Sequence, residues 1–129
     1  MILLDTSFIV SLLNSRDVHH KKAVEILNNS GENEDLGTHP LVVQETISVI
    51  ARKSREQSFN CREWLSKIEE FFESLRILDF TPAAQDALKI IADSDCELSY
   101  VDSVLVLANR YLRAPILTFD NALQRMCKT

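Results

Sequence analysis

Four carboxylates interrupt apolar patterns in this chain, and their type and placement suit one kind of chemistry. Asp5 ends the run Ile2-Leu3-Leu4 and is followed by Thr6-Ser7; Asp120 ends the run Ile116-Leu117-Thr118-Phe119. Glu45 falls inside the helical pattern Leu41–Lys53, with Leu41, Val42, Ser48 and Val49 as its surface neighbours and Val43, Ile47 and Ile50 opposite. That helix reads as buried nearly all round, where an ionised Glu is costly unless paired or metal-bound. Asp102 shares a face with Leu98, Leu105 and Val106, and Asn109 follows two turns on. Four hard oxygen donors on separate elements fit Mg²⁺ or Mn²⁺. Such a site could lower the pKa of a bound water and hold a phosphodiester for in-line attack. Each acid also has a plainer reading. Asp5 and Asp120 could be helix N-caps, Ser99-x-x-Asp102 resembles a capping box, and Glu45 could be a partnered structural acid or a helix-edge residue.

Other chemistries find little support. No Ser/His/Asp set competes persuasively, and His19, His20 and His39 lack zinc-type spacing and read as surface or loop residues. Gly31 and Gly37 are the only glycines, which excludes GxGxxG and P-loop phosphate cradles. Cys61, Cys96 and Cys127 form no CxxC pair and leave an odd thiol, as suits a reducing cytosol. A phospho-accepting receiver would show a Lys near a late strand, whereas Ile116–Phe119 runs straight into Asp120.

The elements that must position these acids follow from apolar periodicity. Strands are expected at Ile2–Leu4, weakly at Leu36–Thr38, at Arg76–Leu78 and at Ile116–Phe119. Helices are expected at Ser7–Leu13, Lys21–Asn28, Leu41–Lys53, Cys61–Leu75, Pro82–Asp93 and Tyr100–Leu112, with a short one from Asn121. The polar stretch Asn28–Asp35 reads as a surface loop. Short apolar strands alternating with helices give an α/β class with a short, mostly parallel sheet covered on both faces. Asp5 and Asp120 then end two strands, where ligands bind in parallel sheets.

Composition bounds the rest. The chain has 129 residues, 46% of them hydrophobic and 26% charged, which suits one globular domain over 1–129. No apolar run approaches the roughly 20 residues that span a bilayer, and the start lacks a basic region ahead of its apolar residues, so a cytoplasmic protein is expected. The formal net charge of −5 argues against a protein that coats phosphates with basic residues. It does not argue against a metal-dependent one, because two divalent cations would bring the net charge to about −1.

With these residues in place, a family resemblance is evident. Leu3-Leu4-Asp5-Thr6-Ser7-Phe8, Glu45 in Leu41-Val42-Val43-Gln44-Glu45-Thr46, Leu98-Ser99-Tyr100-Val101-Asp102-Ser103 and Ile116-Leu117-Thr118-Phe119-Asp120 together resemble a PIN domain. The likeness is greatest to the VapC-type toxin ribonucleases and their stand-alone relatives, and it covers essentially the whole chain. It implies a three-layer, Rossmann-like fold and a Mg²⁺- or Mn²⁺-dependent RNA phosphodiesterase. The family's acidic quartet maps onto Asp5, Glu45, Asp102 and Asp120, and its small hydroxyl onto Thr6 and Ser7. Many relatives carry a further acid close after the fourth, whereas Asn121 directly follows Asp120 here.

The leading expectation is therefore a metal-dependent endoribonuclease, the toxin of a type II toxin–antitoxin system. The alternatives are a stand-alone PIN nuclease in RNA processing and a catalytically quiet PIN-like binding module. Thr6, Ser7 and Asn121 would orient ligands or the scissile phosphate. Arg52, Lys53 and Arg55 are candidates for guiding the RNA backbone, or simply complement the helix dipole. The stripe Trp64, Leu65, Ile68, Phe71, Phe72 and Leu75, with Ala84, Ala87, Leu88 and Ile91 on the next long helix, is more than one sheet face obviously absorbs. A homodimer is expected from it, and a small antitoxin partner from the resemblance.

Overall fold

The computed structural model describes residues 1–30 and 35–127. Within them the chain runs β1 (Ile2–Leu4), α1 (Thr6–Leu13), α2 (His20–Asn29), β2 (Leu36–Thr38), α3 (Pro40–Gln57), α4 (Cys61–Glu73), β3 (Arg76–Ile77), α5 (Ala84–Asp93), α6 (Tyr100–Leu112), β4 (Ile116–Leu117) and α7 (Asn121–Cys127). Of the expected loop at Asn28–Asp35, residues 31–34 lie outside the described residues, and Asn28 and Asn29 continue α2.

The sheet has strand order β3-β2-β1-β4, and every pairing in it is parallel. The chain winds outward from β1 to β3 and then crosses back to β4 on the other side of β1. Right-handed crossovers in opposite directions place their helices on opposite faces. Alternate residues of β1 accordingly enter different clusters. Leu3 packs with Leu78, Ala108 and Ala114, while Ile2 and Leu4 belong to the larger cluster with Phe8, Ile9 and Val42. The result is a three-layer α/β fold. The order also puts the reversal of winding between β1 and β4, so the carboxyl ends of those two strands define the crevice.

Three departures from the periodicity reading have local causes. β4 is shorter than Ile116–Phe119 because Thr118 and Phe119 leave the ladder to bond Asp5 and Ser7. α5 begins at Ala84 rather than Pro82, with Ala83 still extended at φ −64°, ψ 141°. α3 runs on to Gln57, because Ser54 continues its buried side, and stops where Ser58 turns left-handed at φ 57°.

α3 also corrects an expectation about its surroundings. Only Val42, Thr46, Ile50 and Ser54 are buried, while Ile47 stays 42% exposed and Gln44 and Ser48 face solvent. The helix lies against α1 and α4 on one side, so Glu45 stands half-buried at its edge rather than inside a core. The α4 stripe is largely absorbed by the chain itself. Ile68 packs with Val10 and Ile50, Leu75 joins the main core, and Trp64, Phe71 and Phe72 are half-buried against these clusters. On that stripe Leu65 remains exposed, as does Leu88 on α5.

Candidate acidic active site

Asp5 is the residue on which the crevice is built. It is 4% exposed and caps α1, its Oδ1 accepting from Phe8 N at 2.9 Å. Ser7 Oγ donates to the same carboxylate at 2.9 Å, and Thr118 Oγ1 donates to Oδ2 at 2.5 Å. Ser7 Oγ in turn accepts from Phe119 N at 3.1 Å, and Thr118 Oγ1 from Asp120 N at 3.0 Å. These bonds knit the end of β1 to the end of β4 and fix both aspartates to one frame. Burial pushes the Asp5 carboxyl up to about 6, against the hydrogen bonds from Thr118, Phe8 and Ser7, and the charge on Asp102 adds to the rise.

The other acids arrive from separate elements. Asp102 forms a capping box with Ser99 at the start of α6, its Oδ2 accepting from Ser99 N at 3.2 Å. Asp120 Oδ1 accepts from Leu123 N at 2.9 Å, in the first turn of α7. Each cap occupies one carboxylate oxygen. Glu45 comes from the edge of α3. All four acids line a cleft of about 370 Å³ that Thr6, Ser7, Ser11, Asp17, His19, Lys53, Ser99 and Phe119 also help to form. Burial raises the Asp102 carboxyl, and Asp120 and Glu45 raise it further, against the Ser99 bonds.

The sequence candidates sort clearly. Asp5, Glu45, Asp102 and Asp120 meet in one cleft with Thr6 and Ser7. Thr6 Oγ1 is buried and has no hydrogen-bond partner among the described residues. Asn121 is exposed at the start of α7 and does not line the cleft. Of the basic trio only Lys53 lines it; Arg52 and Arg55 project to solvent elsewhere on α3. The helix-capping alternatives hold at Asp5, Asp102 and Asp120, so these three side chains cap helices and line the cleft at once.

Three contributors escaped the sequence reading. Thr118 was legible as the one polar residue in its strand run. Asp17 gave no such signal: it accepts from Ser11 Oγ at 2.9 Å and from His19 N at 2.8 Å, and only the fold turns that loop to the cleft. His19 stacks on Phe119 at the cleft wall. Of the histidines expected at the surface or in loops, His39 lies in the β2–α3 loop and is buried there. His39 is 7% exposed and caps α3, its Nδ1 accepting from Leu41 N while Nε2 bonds the Phe80 carbonyl. Satisfying two backbone groups at once gives it a reason to be inside.

The donor set suits a hard divalent cation in kind: carboxylate oxygens, clustered hydroxyls and an uncompensated excess of negative charge. Among the described residues, however, no three His, Cys, Asp or Glu side chains are gathered tightly enough to make a ready-made metal cluster.

An α/β fold with acids at the carboxyl ends of β1 and β4 defines the class, and the comparisons name it. Residues 2–129 match the PIN domain, and the chain belongs to that family. Its fold is similar to that of VapC20 from Mycobacterium tuberculosis, described as a Sarcin-Ricin loop cleaving toxin (TM-score 0.76, 18% identity, 97% of this chain and 94% of that one). It is also similar to FitAcB from Neisseria gonorrhoeae (TM-score 0.62, 20% identity, 100% and 94%). VapBC2 from Rickettsia felis, solved bound to a DNA fragment from its promoter, gives a TM-score of 0.59 at 16% identity over 93% and 100%. No curated protein matches the chain in sequence.

Proposed function

We propose that this chain is a metal-dependent endoribonuclease that hydrolyses RNA phosphodiester bonds, acting in the cytoplasm as the toxin of a type II toxin–antitoxin pair. The observation that carries the reading is the convergence of Asp5, Glu45, Asp102 and Asp120, from four elements, on one cleft where burial and like charge raise two of the carboxyls. Acids held in mutual repulsion at such a crevice store a demand for a cation. The same four residues would hold Mg²⁺ or Mn²⁺, which when bound supplies positive charge for the phosphate and a water of lowered pKa.

The chain's own residues do the rest. Ser7 and Thr118 hold the Asp5 carboxylate in a fixed orientation through both its oxygens. Thr6 lines the cleft, with its hydroxyl buried and unpartnered beneath the surface. Lys53 supplies the cleft's ammonium group, suited to a phosphate oxygen on the strand being cut. The similarity to VapC20 and to the FitAcB and VapBC2 proteins supports the toxin assignment and an antitoxin partner. A homodimer is part of the same reading.

A quiet binding module is the second reading, and one observation favours it: three of the four acids already have capping work. Cleavage of structured RNA in Mn²⁺ separates the two. Loss of a partner that merely supports a metal ligand costs about 10–100-fold, so Asp102→Asn is expected to lower cleavage about a hundredfold or more. Wild-type protein that leaves RNA intact in Mn²⁺ would contradict the ribonuclease reading and favour the module.

A further inference from the structure

The acidic cleft has an aromatic wall whose construction exceeds what the acids need. Phe8, 1% exposed in the core, stacks on Phe119 with centroids 5.6 Å apart and planes 16° apart. Phe119, half-buried and directly preceding Asp120, stacks on His19 at 4.5 Å and 9°. The three rings form a near-parallel ladder from the core to the surface. Its last rung is exposed, and one face of that rung is already taken by Phe119, so the opposite face and the ring edge are what remain for solvent.

The backbone that carries the outer rung is also held in place. Asp17 Oδ1 accepts from His19 N at 2.8 Å, and His19 O accepts from Ala23 N at 2.9 Å in the first turn of α2. The rung beneath it is tied to the catalytic frame through the Phe119 N bond to Ser7 Oγ. A flat ring on an anchored backbone, stacked on one face and set in the wall of a cleft proposed to take phosphodiesters, loses less entropy than a free side chain when another flat ring covers its other face.

We infer that His19 is a stacking platform for a nucleobase of the bound RNA, beside the phosphate that is cut, with Phe119 and Phe8 as its rigid backing. The inference rests on the ribonuclease reading above and adds a binding subsite to it. Stacking of this kind tolerates any base, because every base has a π-face, and single-stranded segments offer bases free to stack. The platform therefore favours unpaired nucleotides next to the scissile bond over a continuous duplex.

The test is a cycle of cleavage rates with wild-type protein and Mn²⁺ on short single-stranded RNAs of mixed sequence, in which one abasic nucleotide is moved along the strand. Removing a stacked base from an aromatic contact costs about 1–3 kcal/mol, so one abasic position is expected to lower kcat/KM about tenfold, through KM more than kcat. His19→Ala and His19→Asn should each show a similar loss on intact RNA and no further loss at that abasic position, while His19→Tyr restores both the rate and the abasic penalty. His19 stands at the N-cap of α2 without a side-chain cap bond, and His19→Asn places a good capping residue there, so agreement between the two ring deletions removes a folding explanation. Additive losses, or a His19→Tyr protein as slow as His19→Ala, would overturn the platform and leave the ribonuclease reading standing. Wild-type protein that cleaves none of these RNAs, nor structured RNA, would remove both.

Discussion

Asp5 shows how a single residue serves fold and site at once, and its raised carboxyl has a measurable consequence. The native state holds this proton more tightly than the unfolded chain, since its pKa moves from 3.8 to about 6. The stabilisation is therefore complete below about pH 4 and is lost as pH rises through about 6. A rise of this size corresponds to roughly 3 kcal/mol. In metal-free buffer, the difference in unfolding free energy between wild type and Asp5→Asn should change by that order between pH 4 and pH 7, with the wild type losing ground. Urea titrations at several pH values measure it, and parallel curves would contradict the buried, mutually repelling site. The sequence exposed Asp5 and its three companions because each breaks an apolar pattern. It could not expose Asp17 or His19, whose roles depend on a loop folding against β4 that no local pattern records.

At the scale of elements, the sequence showed the alternation of strands and helices, including the weak strand at Leu36–Thr38. It misplaced boundaries where side chains rather than ladders take the backbone bonds, as at Thr118 and Phe119. It also misjudged α3, since Val43 and Ile47 resemble core residues in one dimension and yet lie beside an open groove with Leu65 and Phe72. Helix ends were harder still. Among the described residues two helices stop on non-glycine residues in the left-handed region, Ser58 at φ 57° after α3 and Arg113 at φ 54° after α6. Left-handed backbone costs an L-residue about 1–2 kcal/mol, partly offset by the greater chain entropy that glycine loses on folding. Arg113→Gly should then raise stability by about 0.5–1 kcal/mol without altering cleavage. Thermal unfolding checks it, and a lower midpoint would show that the Arg113 side chain holds the turn.

The whole molecule divides its apolar surface unevenly. Most of the α4 stripe serves the chain's own core, while Ile47 and Leu65 remain 42% and 37% exposed beside one groove and Leu88 is 62% exposed on α5. If the protein pairs with its own copy, as proposed, light scattering at micromolar concentration should give twice the mass of the chain, and Leu65→Glu or Leu88→Glu should lower it. A monomer mass for the wild type would end the dimer proposal. No helix among the described residues is long and apolar enough to cross a membrane.

As proposed, four acids from four elements act together as one cation site. Titration of Mn²⁺ into the wild type and into Asp5→Asn, Glu45→Gln, Asp102→Asn and Asp120→Asn tests this directly, read both by calorimetric binding and by the unfolding midpoint. At metal 100-fold above Kd the wild type should gain about 2.7 kcal/mol, or roughly 10 °C. Each single substitution should weaken Mn²⁺ binding by tenfold or more and remove about half of that gain or more. Wild-type protein with a midpoint indifferent to saturating Mn²⁺, or four variants that bind Mn²⁺ as the wild type does, would contradict the shared site.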